Sequence, residues 1–501
     1  MDRIGIIDLG SNSVRLVIID VKDNGAHHQI ENLKESIRLR SGTDAEGFLT
    51  EEGINSACEM LSLFVRFCRA RDVKKIIAVA TAAVRRAPNR ATLINRVAEL
   101  TGVTIQVLSS EEEAYLGYIG LVNSVTEPSG LMADLGGGAL KLVGFQDRLN
   151  KNTTTLDFGS VSLMEKYGLQ DRPAPDNLHA LEAFLAETFS RINWLPNFPK
   201  LIGVGGSFRS LARVYRHHVH YVPDVTHGIT IPIDAVKDIY TMLSRMDLNE
   251  RRQVPGLAQD RADLSVTGFG IIYHLLKATG GQELMVSASS LRDGIFYKHT
   301  YPRDPILFNV LTHHINNLID YHNLDEDHLR RVSNLAVILF DQLAPLHKLG
   351  SHERRLLLIA GLLHELGAVI SVENMEKHTL YAVLNSPLRG ITQRERVSAA
   401  FLGASNDGLV DTNLQHYLTN GPITEEDIAS IKKLAPLLQI AHSLDRSRTG
   451  VVTNLQATLT PEACEIKVFG TQKRELEIRD ARRRAEMFKN TYGVELRIVQ
   501  G

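Results

Sequence analysis

The chain has 501 residues, 56 Lys+Arg against 58 Asp+Glu for a net charge of −2, and 44% hydrophobic and 23% charged residues. That length exceeds what one core organises and predicts about three to four domains, and the composition is that of a globular protein. Near-neutral charge excludes a nucleic-acid coat, so any anionic substrate must meet a local cluster of cations.

The first predicted element is a strand at Ile4–Ile7, followed by a turn and a returning strand at Arg15–Ile19. The stretch DLGSNSVRLV, residues 8–17, has a counterpart in DLGGGALKLV, residues 134–143. Alignment sets Asp8 on Asp134, Gly10 on Gly136, Arg15 on Lys141 and Leu16 on Leu142, with apolar strands before each and a second return at Lys141–Phe145. Turns of Gly, Ser and Asn are expected to reach positive φ and turn several N–H groups toward one point, which suits anionic oxygens. An acid at the mouth of such a turn repels phosphate, so Asp8 and Asp134 are expected to hold a divalent cation. Two such loops across a cleft would grip a chain of phosphates.

Between the repeats the pattern predicts a strand at 31–39, an amphipathic helix at 50–70 capped by Thr50, a strand at 74–79, a helix at 89–101 and a strand at 104–108. A helix then opens on Glu111, Glu112 and Glu113, with Ser110 expected as its cap. Cys58, Cys68 and Cys464 have no metal-binding spacing, and the first two fall on an apolar helix face as packing residues.

After the second hairpin come an extended stretch at 153–158, a turn and helix at 159–167, a helix at 178–191, and a strand at 200–204. That strand runs into Gly205, Gly206 and Ser207, where a helix start and Arg209 make a further anion site. From about residue 305 to 450 the chain reads as successive helices, and the tail reads as strands at 457–460, 465–469 and 495–499 with a helix at 476–491. No apolar run is long enough to span a bilayer and no leader pattern is seen, so a cytoplasmic protein with no membrane or nucleic-acid partner is expected.

The segments DLGSNSVRL at Asp8, ATAAVRRAPN at Ala80, SSEEEA at Ser109, DLGGG at Asp134, FGSVSLMEKY at Phe158, GVGGSFRSLA at Gly203 and LRDGIFY at Leu291 together resemble the exopolyphosphatase and guanosine pentaphosphate phosphohydrolase family. That family is a branch of the actin, sugar kinase and heat-shock ATPase superfamily. The resemblance continues through LLHELG at Leu362, LNSPLRGITQRER at Leu384 and AHSLDRSR at Ala441. It implies an α/β fold of two ribonuclease-H-like (actin-like) lobes at 1–123 and 124–304, an all-α HD-like domain at 305–450 and a small α+β domain at 451–501. It implies hydrolysis of the terminal phosphate of inorganic polyphosphate, with guanosine pentaphosphate as competing substrate, Mg²⁺ as cofactor and a homodimer.

Carried over by position, the catalytic carboxylate is Glu113, Asp8 and Asp134 hold the metal, and Arg85 contacts phosphate. Phosphate is further expected at Ser11, Asn12, Ser13, Arg15, Gly136, Gly137, Gly138, Lys141, Gly205, Gly206, Ser207 and Arg209. A terminal phosphoanhydride needs an in-line water, a carboxylate to take its proton, and donors that offset phosphoryl charge. One departure stands out: where the family has Ser-Thr-Glu-Leu after the second glycine run, this chain has Ala139, Leu140, Lys141 and Leu142. Loss of that glutamate leaves two readings, an active hydrolase or a catalytically impaired sensor of phosphorylated ligands. A kinase from the same superfamily would need an adenosine pocket, for which no motif is found. In the helical half the His-Asp pair of metal-dependent phosphohydrolases is replaced by His364 and Glu365, with Asp445 as distant acid and His313, His314 or His378 as spare ligands. That broken pair points to a structural domain, whose Arg389, Arg394, Arg396, Arg446 and Arg448 offer a track for a polyanion.

Overall fold

The structure is a computed structural model that describes residues 1–37, 39, 44, 46–405 and 411–501. Two compact units emerge, residues 1–220 with 225–310, and residues 311–501 with the short segment 221–224.

In the first unit, β1 (Asp2–Leu9), β2 (Ser13–Val21), β3 (His27–Ser36), β4 (Lys75–Ala80) and β5 (Ile105–Val107) form a sheet in the order β3-β2-β1-β4-β5. A second sheet contains β6 (Gly130–Leu135), β7 (Leu140–Gln146), β8 (Leu149–Leu156), β9 (Leu201–Val204), β10 (Ile229–Pro232) and β11 (Glu283–Val286), in the order β10-β11-β9-β6-β7-β8. Each sheet starts with an antiparallel meander whose first strand also pairs in parallel with a later one, β1 with β4 and β6 with β9. The hairpin repeat seen in the sequence is thus a repeat of topology, and the two sheets are the actin-like lobes. Register repeats as well: Asp8 pairs across the ladder with Arg15, and Asp134 with Lys141.

The helix Ser110–Val122 packs against the helix Leu291–Thr300, and together they carry a core of Tyr118, Ile119, Ile295 and Phe296 between Ile6 and Val17 of one sheet and Met132, Val143 and Phe145 of the other. Glycine permits this close crossing, since a Cβ on Gly294 would collide with the carbonyl of Leu116. On the far face of the first sheet the helix Glu51–Ala70 buries Leu61, Phe64, Cys58 and Cys68. Thr50 caps it, accepting from the Gly53 N–H at 3.1 Å. Of the strand expected at 31–39, β3 ends at Ser36, and Arg38 lies outside the described residues.

Among the described residues the second unit is a succession of helices between Leu311 and Ser443, and it ends in β12 (Val452–Leu459), β13 (Ala463–Gly470) and β14 (Glu495–Gln500). These strands share one apolar core with the helices, Leu455, Cys464, Ile466 and Ile498 packing in the same cluster as Leu329, Leu357 and Leu434. The helix expected at 476–491 is two helices, Glu475–Arg482 and Ala485–Tyr492. At the break the Arg482 guanidinium donates to the Ile498 carbonyl and Arg484 to Ser443, contacts that an uninterrupted pattern of apolar residues does not reveal. Among the described residues no helix is long and apolar enough to cross a membrane.

Candidate functional site

Both hairpin turns open onto a single cleft in the first unit. Each closes with the same hydrogen bond, Gly10 N–H to the Ser13 carbonyl at 3.0 Å and Gly136 N–H to the Ala139 carbonyl at 2.9 Å. The expectation of positive φ in these turns is not met, because no residue of either adopts the left-handed conformation. Their glycines answer close approach instead. A Cβ on Gly136 would lie 3.3 Å from the Ala139 carbonyl, and one on Gly137 3.0 Å from the Val161 side chain. The second loop is also held from behind, since Ser160 and Val161 donate their N–H groups to the carbonyls of Gly136 and Gly137 at 3.1 and 2.9 Å.

The turn and helix start expected after the strand at 200–204 are present. β9 ends at Val204, Gly205 takes φ +105°, and the helix Gly206–His218 begins in the cleft wall. A Cβ on Gly205 would stand 2.9 Å from the Leu135 carbonyl, so only glycine lets this turn lie against the end of β6.

The cleft has a volume of about 210 Å³. Of the expected residues, Ser11, Asn12, Ser13, Arg15, Gly136, Gly137, Gly138, Lys141, Gly205, Gly206, Ser207 and Arg209 line it, together with Asp8, Asp134 and Glu113. Arg85 does not. It sits behind Glu113, with Nη1 3.0 Å from Glu113 Oε2 and 2.9 Å from the Leu108 carbonyl. Two arginines that sequence reasoning left unassigned, Arg261 and Arg292, join the lining. Arg292 lies within the quoted LRDGIFY motif, which was the available signal; Arg261 stands in no motif.

Four guanidinium groups thus meet in one cleft. Burial pushes the Arg15 pKa down to about 10, aided by repulsion from Arg292. Burial does the same to Arg209, again to about 10, with Arg15, Arg292 and Arg261 adding to it. Cations that destabilise one another in this way are relieved by a bound anion.

Glu113 is presented by the helix Ser110–Val122, whose cap is Ser109 rather than Ser110. Ser109 Oγ accepts from Glu112 N–H at 3.0 Å and Glu112 Oε2 accepts from Ser109 N–H at 2.7 Å, a closed capping box. The run of three glutamates therefore divides its work: Glu111 is exposed, Glu112 serves the cap, and Glu113 is buried facing the cleft.

Every acid at the mouth of the cleft faces a cation of the chain itself. Lys141 Nζ lies 2.7 Å from Glu113 Oε1 and 3.4 Å from Asp134 Oδ2, and Arg292 Nη1 lies 3.0 Å from Asp8 Oδ2. Burial alone would lower the Lys141 pKa, but Asp134 and Glu113 outweigh it and raise it, so the ammonium stays charged. Burial raises the Asp8 pKa, and Arg292 opposes that rise. The donor set therefore does not suit a divalent ion between Glu113 and Asp134, where an ammonium already supplies the positive charge and a second cation would be repelled. Asp8 and Asp134, expected to hold Mg²⁺, both line the cleft, and each faces one of these cations.

In the second unit the expected polyanion track is largely spent on structure. Arg396 is buried and donates to the carbonyls of Ser386 and Leu388, Arg394 pairs with Asp427 at 2.7 Å, and Arg448 pairs with Glu365 at 2.6 Å. His364 and Glu365 are joined by His328 and His442 in a buried group, not by His313, His314 or His378. Burial keeps His364 neutral with a pKa near 4 and His442 neutral with a pKa near 3. Asp445 accepts from His328 Nδ1 at 2.8 Å.

Comparison with known proteins accords with this arrangement. The model of the Ppx/GppA phosphatase family matches residues 17–301, and that of Ppx/GppA phosphatase domain III matches residues 310–480. An exopolyphosphatase from Cytophaga hutchinsonii is 25% identical, with 61% of this chain and 99% of that chain covered and a TM-score of 0.56. The Ppx/GppA family member of Aquifex aeolicus is 25% identical over 60% of this chain and 99% of that chain, with a TM-score of 0.54. Two lobes with matching hairpin loops, a helical third domain and family models that match both units lead to one conclusion: the chain belongs to the Ppx/GppA phosphatase family.

Proposed function

We propose that the protein is an exopolyphosphatase-type phosphohydrolase that removes the terminal phosphate of inorganic polyphosphate, with guanosine pentaphosphate as the competing substrate. The observation that carries this reading is the convergence of Glu113, two glycine loops and four arginines on one cleft. The loops at Ser11–Ser13 and Gly136–Gly138 cradle the end phosphates, Arg15 and Arg292 offset their charge, and Gly206, Ser207 and Arg209 hold the next ones.

Glu113 takes a proton from the attacking water as its oxygen bonds to the terminal phosphorus. The bridging P–O bond breaks, and the shortened polyphosphate leaves with the electron pair. A terminal phosphate that draws the Lys141 ammonium toward itself frees Glu113 Oε1 for that water. Arg85 keeps the carboxylate aimed, and Lys141 provides the positive charge that a metal ion provides in this metal-dependent family. A homodimer and a cytoplasmic location complete the proposal and rest on the family resemblance and the sequence.

One observation favours a second reading, a polyphosphate- or guanosine-pentaphosphate-binding regulator with impaired catalysis. Both Glu113 oxygens are already engaged, Oε1 by Lys141 and Oε2 by Arg85. A phosphate-release assay on long polyphosphate and on guanosine pentaphosphate, each with Mg²⁺ and with chelator, decides between the two. Release in chelator supports the hydrolase reading with Lys141 as the built-in cation. Saturable binding of both compounds without release supports the regulator.

A further inference from the structure

The second unit brings three helices to a point that the cleft chemistry does not use. His328 lies on the helix Glu326–Gln342, His364 and Glu365 follow the helix Ser351–Leu363, and His442 lies at the end of the helix Glu425–Ser443. One ligating atom from each of the four lies within 4.8 Å of the other three. All four residues are at most 7% exposed.

One of the inner atoms is left unsatisfied by the protein. His328 Nε2 has no hydrogen-bond partner, although Glu365 Oε1 lies 3.5 Å away. A buried imidazole nitrogen left without a partner carries a desolvation cost that a ligand would remove. His364 Nε2 and His442 Nδ1 share a hydrogen bond at 3.0 Å, which an ion bound between them would replace. Metal–nitrogen bonds of about 2.0–2.1 Å place adjacent ligand nitrogens about 2.9–3.4 Å apart, so this separation suits two imidazoles on one ion. Drawing in a pair as far apart as 4.8 Å closes about 1.4 Å, or about 0.7 Å from each side chain, within the reach of a side-chain rotation.

Outer contacts orient the rings toward the same point. His328 Nδ1 is bound to Asp445 Oδ2 at 2.8 Å, and His364 Nδ1 donates to the Gly361 carbonyl at 2.8 Å, which turns both Nε2 atoms inward. Asp445 is thus a supporting acid and not a ligand, and its own charge is balanced by Arg331 at 2.9 Å. Glu365 is likewise balanced by Arg448.

His364 and His442 also line a cavity of about 340 Å³ with Arg446, Arg483 and Arg484 and the acids Glu376 and Asp480, Asp480 lying 3.3 Å from Arg483. A divalent ion added to carboxylates already paired with arginine leaves net positive charge, and beside it three guanidinium groups outnumber two carboxylates, so an anion is favoured at the remaining coordination position.

We propose that His328, His364, Glu365 and His442 bind a first-row transition-metal ion such as Mn²⁺ or Zn²⁺, whose open position faces the arginine-lined cavity and takes a phosphate-bearing ligand. Three imidazoles with one carboxylate suit such an ion and not Mg²⁺, which prefers an all-oxygen shell.

The full chain, stripped with chelator, is titrated with Mn²⁺ and with Zn²⁺ by calorimetry. One equivalent is expected at this site, with at least tenfold weaker binding in His328→Ala and His442→Gln, and little competition from a millimolar excess of Mg²⁺. Inorganic phosphate is then added to the Mn²⁺-loaded protein, and the electron paramagnetic resonance spectrum of the bound ion is expected to change, less so in Arg483→Ala. Reading the ion itself separates this site from phosphate bound in the cleft. Wild-type protein that binds no stoichiometric ion overturns the proposal and leaves a closed polar network that ties three helices together. Binding that survives both histidine variants places the ion elsewhere and overturns it equally. A spectrum indifferent to phosphate overturns the ligand half.

Discussion

The ammonium of Lys141 lies 2.7 Å from Glu113 Oε1 and 3.4 Å from Asp134 Oδ2, bridging an acid from the first lobe to one from the second. Its side chain is only 5% exposed, so the contact is made in a low-dielectric setting where a fixed charge counts for more than it does in water. Where the family resemblance leads one to expect a glutamate, this chain places a cation between two acids.

Glu113→Gln is expected to lower phosphate release by about 10²–10⁴-fold, the contribution of a positioned general base, while polyphosphate affinity stays within a few fold. The amide keeps the shape, and Asp134 still faces Lys141, so the variant should fold. Turnover and equilibrium binding measured on the same preparation check this. Unchanged turnover removes Glu113 from the catalytic role.

Lys141→Glu is expected to make release depend on Mg²⁺, because the new carboxylate joins Asp134 and Glu113 in an acidic trio that repels itself without a cation. The expected pattern is loss of activity in chelator with recovery on titrating Mg²⁺, against a wild type that responds little to either. Identical Mg²⁺ responses in the two proteins would count against the built-in cation.

Arg292→Ala addresses the pH dependence. Burial raises the Asp8 pKa and Arg292 opposes that rise, so removing the guanidinium pushes Asp8 higher still. The ionised form, present above the pKa and lost as pH falls through it, then needs a higher pH. The acidic limb of the log(kcat/KM) profile is expected to move upward in pH, in addition to a fall in its plateau from the lost phosphate contact. A lower plateau with an unmoved limb would mean that Asp8 ionisation does not govern that limb.

Gly294→Ala tests the helix crossing that sets Glu113 and Arg292 across the cleft. The added methyl group meets the Leu116 carbonyl and forces the helices Ser110–Val122 and Leu291–Thr300 apart. A loss of about 1–3 kcal/mol in unfolding free energy is expected, with lowered turnover in the protein that remains folded. Chemical denaturation monitored by circular dichroism measures the first effect and phosphate release the second.

Much of the architecture was legible because it is periodic or local. Strand, turn and return strand repeat at Asp8 and Asp134 in residues a reader can align, and the aligned pairs prove to be register partners. The Thr50 cap and the Gly205 turn are similarly written in neighbouring residues. What local pattern misjudged was the reason for glycine in the hairpin turns, which lies in a helix packed behind one of them and not in backbone handedness.

The sequence by itself determined the family, the two matching hairpins and the identity of most residues that line the cleft, since each of these is carried by contiguous motifs. Tertiary structure alone decided how their charges meet. Arg261 and Arg292 reach the cleft from segments far along the chain, Arg85 turns behind Glu113, and Lys141 settles between two acids; His328, His364 and His442 are gathered from positions that span more than a hundred residues of chain. Ion pairing and ligand sets depend on distances of a few ångströms between remote residues, and such distances are set by the packing of helices and sheets, not by any spacing along the chain.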